Sequence, residues 1–154
     1  LHAGRVGLIG RNAQRLGVHP LVLAQDATTP ALRGPFDRIL VDAPCSASGV
    51  IRRHPDVKLL RRAEDIEQLA RLQLQILQGL WPLLKPDGAL LYATCSVLAQ
   101  ENTAVVERFL AQCPDAVAVP LEASWGQVAG LGRQLLPSAL AADGLFYARL
   151  HKTA

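Results

Sequence analysis

The 154-residue chain contains no methionine, few aromatic residues and only three cysteines, Cys45, Cys95 and Cys113. The thiols are odd in number and widely spaced, and no Cys-x-x-Cys or Cys/His cluster occurs. That pattern argues against a disulfide framework and against a zinc site, so no metal is expected and reduced thiols remain available for chemistry. Long apolar runs are missing too: stretches such as Gln78 to Leu84 fall far short of the roughly 18 residues a bilayer span requires. No signal peptide opens the sequence, so it reads as cytoplasmic, with no membrane partner. A net charge of +3 would not repel a polyanion but selects no partner by itself.

What is present is the composition of one globular domain, since half of the residues are hydrophobic. Apolar residues at helical spacing predict a helix over Ala3 to Leu16, stopped by Gly17. Short apolar strands are expected at Leu21 to Ala24 and Phe36 to Val41. A long helix follows from Glu64 to Leu84, with Glu64, Asp65 and Glu67 at its positive end and a Lys85-Pro86-Asp87-Gly88 turn as its stop. A strand at Ala89 to Thr94, a helix from Gln100 to Cys113 ended by Pro114, and final strands at Ala116 to Val119 and Leu145 to Leu150 complete the pattern. Strands alternating with helices imply an α/β fold with a mostly parallel sheet, whose ligands gather at the carboxyl ends of the strands. Asp26, Asp42 and Cys95 all fall at such ends.

Two cysteines stand out from the usual fate of a free thiol, which is to serve as a small buried hydrophobe. Cys113, at a helix end without polar company, fits that fate. Cys45 and Cys95 instead sit in loops beside aspartate or hydroxyl residues, each directly after a strand, and loops leaving one edge of neighbouring strands share a pocket.

Around these residues the sequence resembles a known family. The stretch from Phe36 to Lys58, with Asp42-Ala-Pro-Cys45 at its centre, resembles the fourth motif of the Sun/Fmu rRNA methyltransferases. Gly88 to Asn102, containing Thr94-Cys95-Ser96, is similar to their sixth motif, and Gly132 to Pro137 with Asp143 to Arg149 to their closing motif. The resemblance implies a Rossmann-like methyltransferase sheet, S-adenosylmethionine as cofactor, and a cytosine in RNA, in the first instance small-subunit 16S rRNA, as substrate. It implies Cys95 as the nucleophile that adds to C6 of the base, Cys45 as the group assisting release, and Asp42 at both base and cofactor. For Asp42 the plain alternative is a loop cap, common at such a position; Asp26 matches the aspartate that contacts the adenine of the cofactor. Arg52, Arg53, His54 and Lys58, in the one dense basic run, would face RNA phosphates; a solvated helix face is the plain alternative.

The family's glycine-rich cofactor loop does not occur between residues 1 and 154. The whole chain, residues 1–154, is therefore expected to be the carboxy-terminal part of one methyltransferase catalytic domain, lacking the first strands of its sheet, with Leu1 to Pro30 weakly anchored. A catalytically incompetent fragment or RNA-binding module with a methyltransferase-like fold is the alternative. A Cys-His hydrolase using Cys95 with His54 or His151 has no spacing to support it.

Overall fold

The computed structural model describes residues 3–138 and 142–154. Helix α1, Ala3–Leu16, precedes an extended stretch that leads to strand β1, Phe36–Asp42. A short helix α2, Val57–Leu60, and the long helix α3, Ala63–Leu80, then cross over to strand β2, Leu84–Thr94. Helix α4, Thr103–Gln112, is followed by strands β3, Ala116–Val119, β4, Gln127–Ala129, β5, Gly132–Leu135, and β6, Leu145–Lys152. The sheet runs β1-β2-β6-β5-β4, with β3 and β5 each pairing a different half of β6. The fold is an α/β open sheet, as expected.

The expectation of a mostly parallel sheet is met only at β1 and β2; β2–β6, β3–β6, β4–β5 and β5–β6 are antiparallel. The reason is connection length. A parallel pair needs a crossover such as α3, whereas the short link from β4 to β5 suits a hairpin. Ala129 and Gly132 pair across the two residues Gly130 and Leu131, and Gly130 takes the positive φ of 54° that such a tight turn requires.

Leu21 to Ala24 is not a strand. Extended residues become a strand by pairing backbone groups, and among the described residues nothing pairs with this run. Leu21 is 82% exposed and Leu23 51%. The flanking chain is pinned at two points. Thr28 presses its carbonyl against Gly79 of α3, and Gly34 lies against the backbone of Leu83, each too close for a side chain on the glycine. The expected weak anchoring of the first thirty residues therefore does not extend to Thr28, while Leu1 and His2 lie outside the described residues.

Helix α3 ends before Leu84 because Pro82 has no N–H to continue the ladder, and Trp81–Leu83 tightens into a 3-10 turn. The Lys85 to Gly88 turn is not the helix stop but a detour within β2. Phe36 pairs with Leu84 and Arg38 with Ala89, so four residues bulge out opposite Asp37. Lys85 anchors the bulge by an ion pair with Asp37 at 2.6 Å.

Helices α3 and α4 pack side by side on one face of the sheet. Leu77, Val105, Val106 and Phe109 from the helices meet Leu90, Tyr92, Phe146 and Leu150 from the strands, all fully buried. Trp81 and Phe109 meet edge to face at 5.1 Å, and Tyr92 and Phe146 at 6.3 Å. This core fixes β1 and β2 side by side, and so fixes the loops that leave their carboxyl ends.

Candidate active site

The parallel ladder continues one residue past β1, where Ala43 donates its N–H to Ala93. Pro44 then has no N–H to offer, and the chain leaves the sheet. Ala47 turns it through a left-handed conformation, φ 63°, into a 3-10 turn at Ser48–Val50. Gly49 passes between two backbones, donating to Cys95 O at 2.9 Å and accepting from Gly144 N at 2.8 Å. A Cβ on Gly49 would overlap both Gly144 and Cys95, so only glycine admits this close approach.

The loop thereby returns over the end of β2, and the sulfur atoms of Cys45 and Cys95 stand 3.3 Å apart. Both cysteines are half-buried and free. The Cys45 thiol, as hydrogen-bond donor, favours the thiolate form of Cys95 and lowers its pKa from 9.0 to about 7. Cys45, as the proton-holding partner and the more deeply seated of the two, is shifted strongly upward. Cys113 packs against the core, and burial raises its pKa, as suits a structural residue.

Asp42 closes β1 opposite Ala93, is exposed, and makes no side-chain hydrogen bond among the described residues. Its charge opposes ionisation of Cys95, a smaller effect than the Cys45 hydrogen bond. Asp26 is exposed in a turn of its own, where the N–H and hydroxyl of Thr28 donate to it at 2.8 and 2.7 Å and hold its carboxyl below the usual range. No hydrogen bond joins Asp26 to Asp42 or to either thiol among the described residues. The structure thus brings Cys45, Cys95 and Asp42 to one edge and leaves Asp26 in a separate turn on the stretch between α1 and β1. Two exposed carboxylates suit a ligand that presents amino groups, which is the donor chemistry of the adenine and ammonium groups of S-adenosylmethionine.

The basic residues follow directly on the Cys45 loop. Arg52, Arg53, His54 and Lys58 are all exposed. Arg53 is engaged with Asp143 at 2.5 Å, while Arg61 reaches back to donate to Ser46 O at 3.1 Å.

Sequence reasoning missed the polar cluster beneath the thiols. Ser46, Ser96, Gln73, Glu101 and Asn102 are at most 2% exposed. Their signal was position: Gln73 lies on the apolar stripe of α3 between Ala70 and Leu77, and Glu101-Asn102 stand just beyond the Cys95 loop, where a polar pair reads as solvent-facing. Among the described residues no group of three metal-ligating side chains gathers, and no helix is long and apolar enough to cross a membrane.

Over 151 residues the chain is 50% identical to "Ribosomal RNA small subunit methyltransferase B" of Salmonella arizonae, covering 96% of this chain and 34% of that protein. Among solved structures, a methyltransferase homolog protein from Pyrococcus horikoshii superposes with a TM-score of 0.81 at 31% identity, over 98% of this chain and 51% of that one. NSun6 from Pyrococcus horikoshii, solved with SFG, gives a TM-score of 0.86 at 27% identity, over 99% of this chain and 40% of that one. The chain thus spans about a third of the length of the curated relative it matches. With residues 1–151 matched by the family model described as 16S rRNA methyltransferase RsmB/F, the chain belongs to that family.

Proposed function

We propose that this chain carries the reacting thiols of a cytoplasmic RNA (cytosine-C5) methyltransferase that uses S-adenosylmethionine and acts on small-subunit rRNA. The observation that carries this reading is the 3.3 Å approach of Cys45 to Cys95 at the carboxyl ends of two adjacent parallel strands. A single nucleophile needs no second thiol at that distance, but a thiol that must both attack and leave as a thiolate is served by a hydrogen-bond donor beside it.

C5 of cytosine is a weak nucleophile. The Cys95 thiolate adds to C6, forming the S–C6 bond and pushing the electron pair of the C5–C6 double bond into the ring, so that C5 acquires carbanion character. S-adenosylmethionine, when bound, supplies the methyl group that C5 takes. Loss of the C5 proton to a solvent water then restores the double bond as the S–C6 bond breaks, and Cys95 leaves as a thiolate stabilised again by the Cys45 hydrogen bond. Asp42, exposed at the end of β1, accepts a hydrogen bond from the 4-amino group of cytosine, which uracil lacks. Asp42 and Asp26 would hold the amino groups of the cofactor. Arg52, Arg53, His54 and Lys58 meet RNA phosphates. The target base must leave its stack to reach the thiols, at a cost of a few kcal/mol.

The test uses the full-length protein with labelled S-adenosylmethionine and undermethylated small-subunit rRNA. Label at C5 of a cytosine should be lost in Cys95→Ala, while Cys45→Ala should accumulate a covalent RNA adduct. Normal methylation by Cys95→Ala would refute the nucleophile assignment, and RNA retention without any methyl transfer in the unsubstituted protein would favour a binding module.

A further inference from the structure

We propose that Glu101 is a positioning residue whose buried carboxylate braces the Cys45 loop to the Cys95 loop and thereby holds the two sulfur atoms in hydrogen-bonding register. Glu101 itself has no exposed surface. One oxygen, Oε2, receives the hydroxyls of Ser46 at 2.5 Å and Ser96 at 2.6 Å, the residues that directly follow Cys45 and Cys95. The other, Oε1, receives the N–H of Ser46 at 2.8 Å and the side-chain amide of Gln73 at 3.2 Å. Gln73 also donates to Pro44 O at 2.9 Å, so the brace grips the Cys45 loop on both sides of the thiol.

The Cys95 side is fixed in the same way. The Tyr92 hydroxyl donates to Glu101 O at 2.6 Å. The next residue, Asn102, accepts from Thr94 Oγ1 at 2.6 Å and donates to Ser96 O at 2.9 Å, holding the residues either side of Cys95. The Glu101 carboxylate sets the direction of the serine hydroxyl protons. Ser46 and Ser96 point theirs at the carboxylate, leaving Ser48 Oγ to donate to Ser96 Oγ at 3.0 Å while it accepts from Val97 N. A polar cluster assembled from segments far apart in sequence, in which Gln73 Oε1 is left without a partner among the described residues while both Glu101 oxygens are met, specifies one geometry.

No oxygen of Glu101 is left to meet a substrate, so its influence on chemistry passes through the thiols. Two effects of Glu101 on Cys95 have opposite signs. As a buried anion it disfavours the thiolate; as a brace it preserves the Cys45 hydrogen bond that favours it. Removing the carboxylate lowers the Cys95 pKa if charge dominates and raises it if position dominates. Glu101→Gln separates the two, because its Oε1 can still accept from Ser46 N and Gln73 while its amide faces hydroxyls able to rotate and accept.

The inference rests on Cys95 being the reactive thiol, and its readout is that thiol rather than methyl transfer. Iodoacetamide alkylation of Cys95 is followed against pH by peptide mass spectrometry in the full-length protein. In Glu101→Ala the midpoint should rise by roughly one pH unit, the scale of a lost charge-assisted hydrogen bond, and in Glu101→Gln, which keeps the brace but removes the opposing charge, it should stay level or fall. A fall or no change in Glu101→Ala, or an equal rise in both variants, overturns the proposal. Should Glu101→Ala fail to fold by circular dichroism, the Ser46→Ala/Ser96→Ala double variant, which loosens the same brace from the other end, takes its place: a raised midpoint supports the proposal and an unchanged one overturns it. These midpoints stand or fall independently of whether the protein methylates cytosine.

Discussion

Cys45 stands as hydrogen-bond donor 3.3 Å from the sulfur of Cys95, and the contact joins loops that are 50 residues apart in sequence. Its consequence is a division of labour by protonation: one thiol keeps its proton so that the other loses its own. Cys95 ionises around pH 7 rather than near 9.0. Its reaction with iodoacetamide should therefore rise as pH passes through about 7 and level off above it. Cys45→Ala deletes the donor, so the midpoint should move up toward the ordinary thiol value. A midpoint that moves down, or does not move, would show that another group sets the ionisation.

The same proximity predicts a defined response to peroxide. The Cys95 thiolate attacks the peroxide, taking one oxygen as sulfenic acid and releasing hydroxide, and the Cys45 thiol then displaces water to form a disulfide. Mass spectrometry should find Cys45 joined to Cys95, with the loss of two hydrogen atoms, and Cys113 still open to alkylation. Dithiothreitol should restore both thiols. Oxidation confined to higher acids of Cys95, with Cys45 untouched, would show that the pair does not close.

Much of this arrangement was legible in the sequence, because β1 and β2 are apolar runs that end at turn signals, β6 is an apolar run that follows one, and α3 carries an apolar stripe interrupted at Gln73. Leu21 to Ala24 carries the same kind of signal and fails, since hydrophobicity marks a wish for burial while a strand needs a partner's backbone. The β4–β5 hairpin is short and mostly polar, and only the Gly130-Leu131-Gly132 turn betrays it. Glu101 and Gln73 could not be read at all. A polar side chain in a loop or on a helix looks solvated until segments 28 and 55 residues away converge on it. Cys45 and Cys95 were legible as a pair because they follow adjacent strands; what holds them together was not.

Gly49 is the point where packing and chemistry meet. Gly49→Ala places a methyl group against the carbonyls of Gly144 and Cys95, neither of which is a flexible end that can swing away. Urea unfolding should show a loss of about 1–3 kcal/mol, the usual cost of overpacking. Because the displaced group is Cys95 O, the alkylation midpoint of Cys95 should rise in the same variant. A stable Gly49→Ala protein with an unaltered midpoint would mean that the loop closes over β2 by contacts other than this one.

The basic run makes a prediction about salt. Arg52 and Lys58 are exposed and have no ion pair among the described residues, whereas Arg53 is already engaged by Asp143. If the run faces phosphates, Arg52→Gln and Lys58→Gln should each weaken RNA binding uniformly across sequences and lower the slope of log affinity against log salt by roughly one. Arg108 on α4, which shares a shallow groove with Glu67 and Arg71, is the matched control, and Arg108→Gln should leave the slope unchanged. Filter binding from low to high salt measures all three. Equal slopes for the Arg52, Lys58 and Arg108 variants would place the RNA elsewhere and return the basic run to a solvated surface, since a charge that releases no counterion touches no phosphate.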